Sequence, residues 1–274
     1  MHTNMDPAAF DGLRSIVKQA RRSMLRMVHV SKSSHIGTGM SMVEALVALY
    51  FRVMRIDPRN PSDPERDKFI LSKAHGSVAL YAVLAERGFF GKELLDKFYV
   101  DVGALPGHLD RLSAPGIESS GGSLGHGLGL GIGMAVANLY DGNPGRIFVL
   151  LGDGECNEGS VWEAFMLAPQ LKLSNLTVLI DFNQIQSLGR TNEILDQRNL
   201  SERLRAFGWD SCDVDGHDLP TLCSALERNP SQKPRAFVMQ TVKGKGVSFM
   251  EDKLLWHYRS PSDEELALAL KELE

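Results

Sequence analysis

Chemistry becomes visible where three nearly continuous apolar runs give way to polar residues. Ile147 to Leu151 is followed by Gly152-Asp153-Gly154-Glu155-Cys156-Asn157-Glu158-Gly159, Leu176 to Ile180 by Asp181-Phe182-Asn183-Gln184-Ile185, and Ala236 to Thr241 by Val242-Lys243-Gly244-Lys245-Gly246. Together they offer a carboxylate, an amide oxygen and an ammonium. Asp153, between two glycines, is a hard oxygen ligand on a turn that a ligand can approach closely, and Asn183 adds a neutral oxygen. Mg2+ takes about six oxygens, usually one or two from side chains and the rest from phosphates and water, so a diphosphate would complete a magnesium site here. Lys243 could add positive charge, and Gly121-Gly122-Ser123-Leu124-Gly125, leading into a helix, could present backbone N–H groups to an anion. Taken singly, each feature has a plainer reading: an Asp in Gly-Asp-Gly more often accepts local backbone hydrogen bonds than binds metal. Nucleotide motifs are not supported. Position 157 is Asn where G-x-G-x-x-G needs Gly, the glycine-rich run 121 to 133 fails that spacing, and no G-x-x-x-x-G-K-[ST] occurs.

The elements that must position these residues are set by the same runs. Phe69-Ile70-Leu71, Ile147 to Leu151, Leu176 to Ile180, Trp209 to Val214 and Ala236 to Thr241 are of strand length and alternate with helix-length segments, the order of βαβ units. Runs so continuously apolar predict strands buried on both faces, as in a parallel sheet covered by helices. The expected fold is therefore α/β: a doubly wound, mainly parallel sheet in one domain over 1–274, with ligands outside the carboxyl ends of the strands. Asp6-Pro7 reads as a helix start ahead of Leu13, Ile16, Val17, Ala20, Met24, Met27 and Val28 at helical spacing. Ser41 with Glu44, and Ser262 with Glu265, each read as a capping box. The stretch Gly103 to Gly127, crowded with Gly, Ser and Pro, reads as a long functional loop.

Composition excludes several classes of function. With 30 Lys+Arg against 34 Asp+Glu, the formal net charge of −4 gives no excess of cations to neutralise nucleic-acid phosphates or an anionic membrane. Gly127 to Ala137, the longest uncharged apolar stretch, is far short of the ~18 to 20 residues that span a bilayer, so a soluble protein is expected. Cys156, Cys212 and Cys223 are odd in number and lack metal-ligand spacing, which points to a reducing, cytoplasmic setting.

A wider set of residues resembles the transketolase family. Gly152-Asp153-Gly154-Glu155 with Glu158-Gly159-Ser160-Val161-Trp162-Glu163-Ala164 is similar to that family's thiamine diphosphate motif. So are Ser34-His35, Ser72-Lys73-Ala74-His75, Gly107-His108, Gly122-Ser123-Leu124-Gly125, Lys243-Gly244-Lys245-Gly246, and Glu251-Asp252-Lys253 with Trp256-His257. They run in family order over nearly the whole chain. The resemblance implies that Asp153, Asn183 and the backbone carbonyl of Ile185 hold Mg2+, with Ca2+ or Mn2+ as substitutes. It implies cofactor contacts from Thr38, Lys73, His75, Gly122, Ser123, Leu124, Asp153, Gly154, Glu158, Asn183, Lys243 and His257. His35, His75, His108 and His257 would line the reacting centre, where ketol transfer needs donors to a developing alkoxide and proton shuttles. His29, on a helical face, reads as structural, His217 in Asp215-Gly216-His217-Asp218 as a turn residue, and His2 as a disordered terminus.

The resemblance further implies the diphosphate-binding half of a split transketolase. A C-terminal subunit carrying the pyrimidine-binding domain would be the partner in an A2B2 heterotetramer that works on sugar phosphates. Alternatives are a related thiamine enzyme of other specificity, a subunit that handles an unusual sugar in a specialised pathway, and a non-catalytic partner subunit. The presence of Asp153, Asn183, Lys243 and the four histidines speaks against the last. Ile36, Ala74 and His126 depart from the common family residues and are expected beside the substrate.

Overall fold

The five apolar runs become five strands. The computed structural model describes residues 7–228 and 232–274. Strands β1 (Lys68–Leu71), β2 (Ile147–Gly152), β3 (Leu176–Phe182), β4 (Asp210–Asp215) and β5 (Arg235–Gln240) form one sheet in the order β1-β2-β3-β5-β4, with every neighbouring pair parallel. Parallel neighbours require crossovers, and the helices supply them. In chain order these are α1 (Asp11–Ser31), α2 (Ile36–Met40), α3 (Val43–Ala48), α4 (Ser77–Arg87), α5 (Gly127–Tyr140), α6 (Gly159–Gln170), α7 (Thr191–Ile194), α8 (Leu200–Phe207), α9 (Leu219–Glu227) and α10 (Asp263–Glu272).

Alternation along each strand divides the core in two. Phe69, Leu71, Phe148, Leu150, Leu179, Phe237 and Met239 pack with Met24 of α1, Leu46 of α3, Leu80 of α4 and Leu222 of α9. Ile70, Val149, Leu151, Val178, Ile180 and Val238 face Ile132 of α5, Phe165 of α6 and Leu204 of α8. Burying side chains of this kind stabilises the fold by roughly 1.5–3 kcal/mol each, so the sheet is covered on both faces and its carboxyl edge is free to carry polar residues. Strand β4 departs from the expectation of burial on both faces. Among the described residues it pairs only with β5, and Asp213 and Asp215 are exposed, as suits an edge strand kept from further pairing by charge.

Local details correct other readings. Pro7 opens a short 3-10 turn, Pro7–Phe10, before α1; Asp6 and His2 lie outside the described residues. Ser262 and Glu265 form a complete capping box on α10, but Ser41 and Glu44 do not cap α3. Ser41 Oγ donates to the Thr38 carbonyl and to Asp181, and Glu44 takes a hydrogen bond from Arg21, because buried long-range partners outcompete the local cap. His29 is structural, bonded through Nδ1 to the Pro261 carbonyl and within 3.0 Å of Asp263. No described helix is long and apolar enough to cross a membrane.

Candidate active site

Four neighbouring strands deliver polar residues to one edge. Ser72 and Lys73 follow β1, Asp153 follows β2, Asn183 follows β3, and Thr241 to Lys243 follow β5. Of these, Lys73, Asp153, Asn183 and Lys243 open onto a cleft of about 250 Å³ that is lined as well by His35 and Thr38 of the α2 region, His75, His108 and His257. The left-handed backbone of His35 (φ 72°) turns its ring inward, and its N–H donates to the His257 carbonyl at 2.9 Å.

The histidines surround His35, whose ring centroid lies 5.2 Å from that of His75, 5.0 Å from that of His257 and 6.0 Å from that of His108. Burial, with His108 and Lys243 adding, brings His35 down to about 4. Burial, with Lys243 and His35 adding, brings His257 down to about 3, and burial with Lys73 nearby puts His75 well below its ordinary value. These three rings are therefore neutral near neutral pH, each able to donate from one nitrogen and accept at the other.

Beneath them lies a buried ionic layer. The Lys73 ammonium bonds Asp181 and the Thr38 carbonyl (3.1 Å), and Asp181 also accepts from Ser41, Thr241 and the Asn183 amide nitrogen (3.0 Å). Burial pushes Asp181 up, but Lys73 and these hydrogen bonds hold it below the usual carboxylate range. The Asn183 amide nitrogen is thereby held on Asp181, and its oxygen accepts from Ile185 N–H at 3.2 Å with a second lone pair left for a ligand. Lys73 lines the cleft, but its charge is engaged by Asp181 rather than presented to a ligand. Lys243, 1% exposed, donates to the Ile185 carbonyl at 2.9 Å and lies 2.7 Å from His257 Nδ1. Burial and Lys73 bring it down to about 8.

Asp153, 3% exposed, accepts from the N–H groups of Gly154 (2.8 Å) and Gln184 (2.6 Å) and from Thr191 Oγ1 (3.0 Å). Burial, with Asp181 adding, pushes its carboxyl above the usual range. A cation would relieve that unfavourable charge. The nearby oxygens are the Asn183 side chain, which accepts from Ile185 N–H at 3.2 Å, and the Ile185 carbonyl, which accepts from Lys243 at 2.9 Å; both residues line the cleft. No three His, Cys, Asp or Glu side chains among the described residues form a metal-holding group. The cleft thus offers a cation mixed hard-oxygen ligands, which fits Mg2+ better than a thiophilic metal. For an anion, the buried Gln186 Nε2 has no hydrogen-bond partner and lines the same cleft, beside Gly154 and Lys243.

The structure brings most of the sequence-predicted residues together: His35, Thr38, Lys73, His75, His108, Gly122, Leu124, Asp153, Gly154, Asn183, Ile185, Lys243 and His257 all line the cleft. Ser123 and Glu158 do not, and both are exposed. Glu158 sits at the N-cap position of α6, beneath Gly125, and the acidic residue that reaches the cleft is Glu155. Glu155 accepts from Ser72 Oγ (2.5 Å) and the N–H groups of Gly125 (2.9 Å) and Gly152 (3.1 Å), while Gly127 N–H goes to Ser72. Any anion contact from that turn therefore falls to Gly122 to Leu124. Ile36 and Ala74 are core residues, and His126 lies in the groove between α5 and α6, so none of the three borders the cleft as expected. The sequence assigns no role to Glu155, named only as part of its motif, or to Gln186, Ser187 and Thr191. Adjacency to the Asp153 and Asn183 motifs was the only signal for the first three.

A family model described as transketolase, thiamine diphosphate binding domain, matches residues 13–273. The chain is 43% identical over 242 residues, 88% of each chain, to a 6-deoxy-6-sulfo-D-fructose transketolase subunit of a Clostridium species. It is 38% identical over 268 residues, 97% of each chain, to an apulose-4-phosphate transketolase subunit of Actinobacillus succinogenes. It superposes on the transketolase of Campylobacter jejuni with a TM-score of 0.89 at 27% identity, covering 98% of this chain and 43% of that one. The chain thus spans nearly the full length of the two subunits and less than half of the solved transketolase.

Proposed function

We propose that this chain, which belongs to the transketolase family through its thiamine diphosphate-binding domain, works as one subunit of a two-polypeptide transketolase. The reaction is transfer of a two-carbon ketol unit from a ketose to an aldose. Thiamine diphosphate, when bound, supplies the carbanion chemistry, and the chain supplies binding, orientation and proton handling. Asp153, Asn183 and the Ile185 carbonyl would hold Mg2+, with Lys243, Gly154 and Gln186 facing the diphosphate. His35, His75 and His257 are neutral, and with His108 they would donate to the substrate's carbonyl and hydroxyl oxygens and move protons among them. The observation that carries this reading is the convergence in one cleft of a cation-seeking oxygen set with four imidazoles. It also argues against a non-catalytic role.

The second polypeptide would seat on the face made by α5 and α6. Leu130, Val136, Leu139, Tyr140, Met166 and Leu167 are all exposed there, an apolar patch of the kind that marks an interface. Both similar subunits bear names that imply a counterpart, and an A2B2 assembly in the cytoplasm, consistent with the free thiols of Cys156, Cys212 and Cys223, completes the proposal. The names of those relatives favour a donor outside central sugar metabolism. The test is reconstitution with a polypeptide carrying the pyrimidine-binding domain, thiamine diphosphate and Mg2+, assayed with xylulose 5-phosphate, 6-deoxy-6-sulfofructose and apulose 4-phosphate. Turnover by the pair and none by this chain alone is expected. Turnover by the chain alone would remove the partner, and none by the pair with any ketose would remove the reaction.

A further inference from the structure

His217 stands in the turn after β4 and does not line the cleft, yet its side chain is only 13% exposed. The N–H of Val242 donates to its Nε2 at 2.8 Å, and its Nδ1 lies 3.3 Å from Glu44 Oε2. These partners fix the ring. A nitrogen accepting from an amide carries no proton, so the ring is neutral, with its proton on Nδ1 and directed at the carboxylate. Glu44 is anchored by Arg21, whose Nη2 donates to Oε2 at 2.8 Å and to the Met40 carbonyl at 3.0 Å. One buried chain of polar contacts therefore joins α1, the end of α2, the start of α3, the turn after β4 and the exit of β5.

That exit carries Lys243 into the cleft. Thr241 bonds Asp181, Val242 N–H is held by His217, and Gly244, at φ 79°, donates its N–H to the Gly37 carbonyl at 2.9 Å. The fit leaves little slack, since a Cβ on Gly37 would meet Lys243 Cγ at 3.2 Å. Gly37 belongs to α2, the helix that also carries Thr38 and follows His35.

We propose that His217 is a positioning residue. Through the Arg21, Glu44, His217 and Val242 chain it fixes the β5 exit against α2 and so sets where the Lys243 ammonium lies relative to His35 and Thr38. Only the identity of the anion facing Lys243 rests on the thiamine diphosphate reading; the clamp itself does not.

The test uses the full chain and two variants, His217→Ala and His217→Gln, the second keeping an oxygen that can accept from Val242 N–H. Nitrogen-15 spectra of the wild-type imidazole should show an unprotonated Nε2 and a protonated Nδ1. Amide exchange at Val242 and Gly244 should quicken about tenfold in His217→Ala, equivalent to about 1.4 kcal/mol, with Val149 in β2 unchanged, and return towards wild type in His217→Gln. With the partner polypeptide present, thiamine diphosphate with Mg2+ should bind about tenfold more weakly to His217→Ala than to wild type or His217→Gln. The opposite tautomer, or faster exchange confined to Val242 with cofactor affinity unchanged, overturns the proposal. If His217→Ala fails to fold, the wild-type spectrum and protected Val242 and Gly244 amides in His217→Gln decide it. Wild type that binds no cofactor while keeping the exchange pattern would sink the functional reading and leave the clamp standing.

Discussion

Replacing Asp153 with Asn separates a ligand from a scaffold residue. In the native turn one carboxylate oxygen accepts from Gly154 N–H and the other from Gln184 N–H and Thr191 Oγ1. The Asn oxygen can keep the second set, leaving its NH2 against Gly154 N–H, a loss of about 1 kcal/mol. Set against this, the carboxyl is pushed up by burial and by Asp181. A raised folded value means that the charged form weakens the fold at every pH above the ordinary carboxylate range, so removing the charge returns stability. The two effects oppose, and the melting temperature should stay within about 4 °C of wild type. Cation binding has no such compensation. One unit charge acting on another at 4 Å is worth about 4 kcal/mol at an effective dielectric of ~20, a floor for a divalent ion in direct contact, so Mg2+-dependent cofactor affinity should fall at least about 10³-fold. Titration calorimetry on the reconstituted pair and thermal unfolding of this chain measure the two halves. Affinity within about threefold of wild type would refute the ligand role. Lost binding with a fall in melting temperature beyond about 10 °C would show Asp153 to be a structural hydrogen-bond acceptor instead.

Other perturbations probe the surrounding frame. His35 sits at about 4 in the folded chain against 6.5 ordinarily, so the unfolded chain takes up the proton first and stability should fall as pH drops through that window; urea midpoints for His35→Gln should show a shallower fall, and parallel curves would contradict the assigned burial. Lys73→Met leaves Asp181 buried without its cation and should cost about 3–5 kcal/mol in chemical denaturation, with part recovered by adding Asp181→Asn; an unchanged midpoint would mean that the pair is not formed. On α5, a Cβ at Gly131 would meet Val149 at 2.5 Å, whereas Gly129 and Gly133 have open space. Gly131→Ala should therefore destabilise by about 1–3 kcal/mol. Gly129→Ala and Gly133→Ala should stabilise the lone chain by up to about 1 kcal/mol while weakening capture of the partner, and unchanged partner affinity would move the interface elsewhere.

The strands and the residues at their exits were legible because parallel strands covered on both faces need long apolar runs, and the polar residues after each run must sit at the carboxyl edge. Asp153, Asn183 and Lys243 were found that way, and the family resemblance added the four histidines. Misreadings arose where a distant partner outcompetes a local one. Ser41 and Glu44 spell a cap but are drawn to Asp181 and Arg21, and His217 is a turn residue whose ring is occupied by Glu44 and Val242. Glu155 and Glu158 share one motif, and only the conformation of Gly154–Asn157, a 3-10 turn, determines which faces the cleft. Thr191 reaches Asp153 after the chain reverses beyond β3, helped by the left-handed backbone of Gln184 (φ 64°), and no spacing rule announces it.

The central claim is that Asp153, Asn183 and Ile185 hold one cation that anchors a diphosphate. Anomalous diffraction from crystals of the two-polypeptide enzyme grown with thiamine diphosphate and Mn2+, standing in for Mg2+, tests it directly. One peak should lie about 2.1 Å from an Asp153 carboxylate oxygen, the Asn183 amide oxygen and the Ile185 carbonyl, with the diphosphate completing its shell. A well-ordered coenzyme whose metal lies away from those three oxygens would contradict the account.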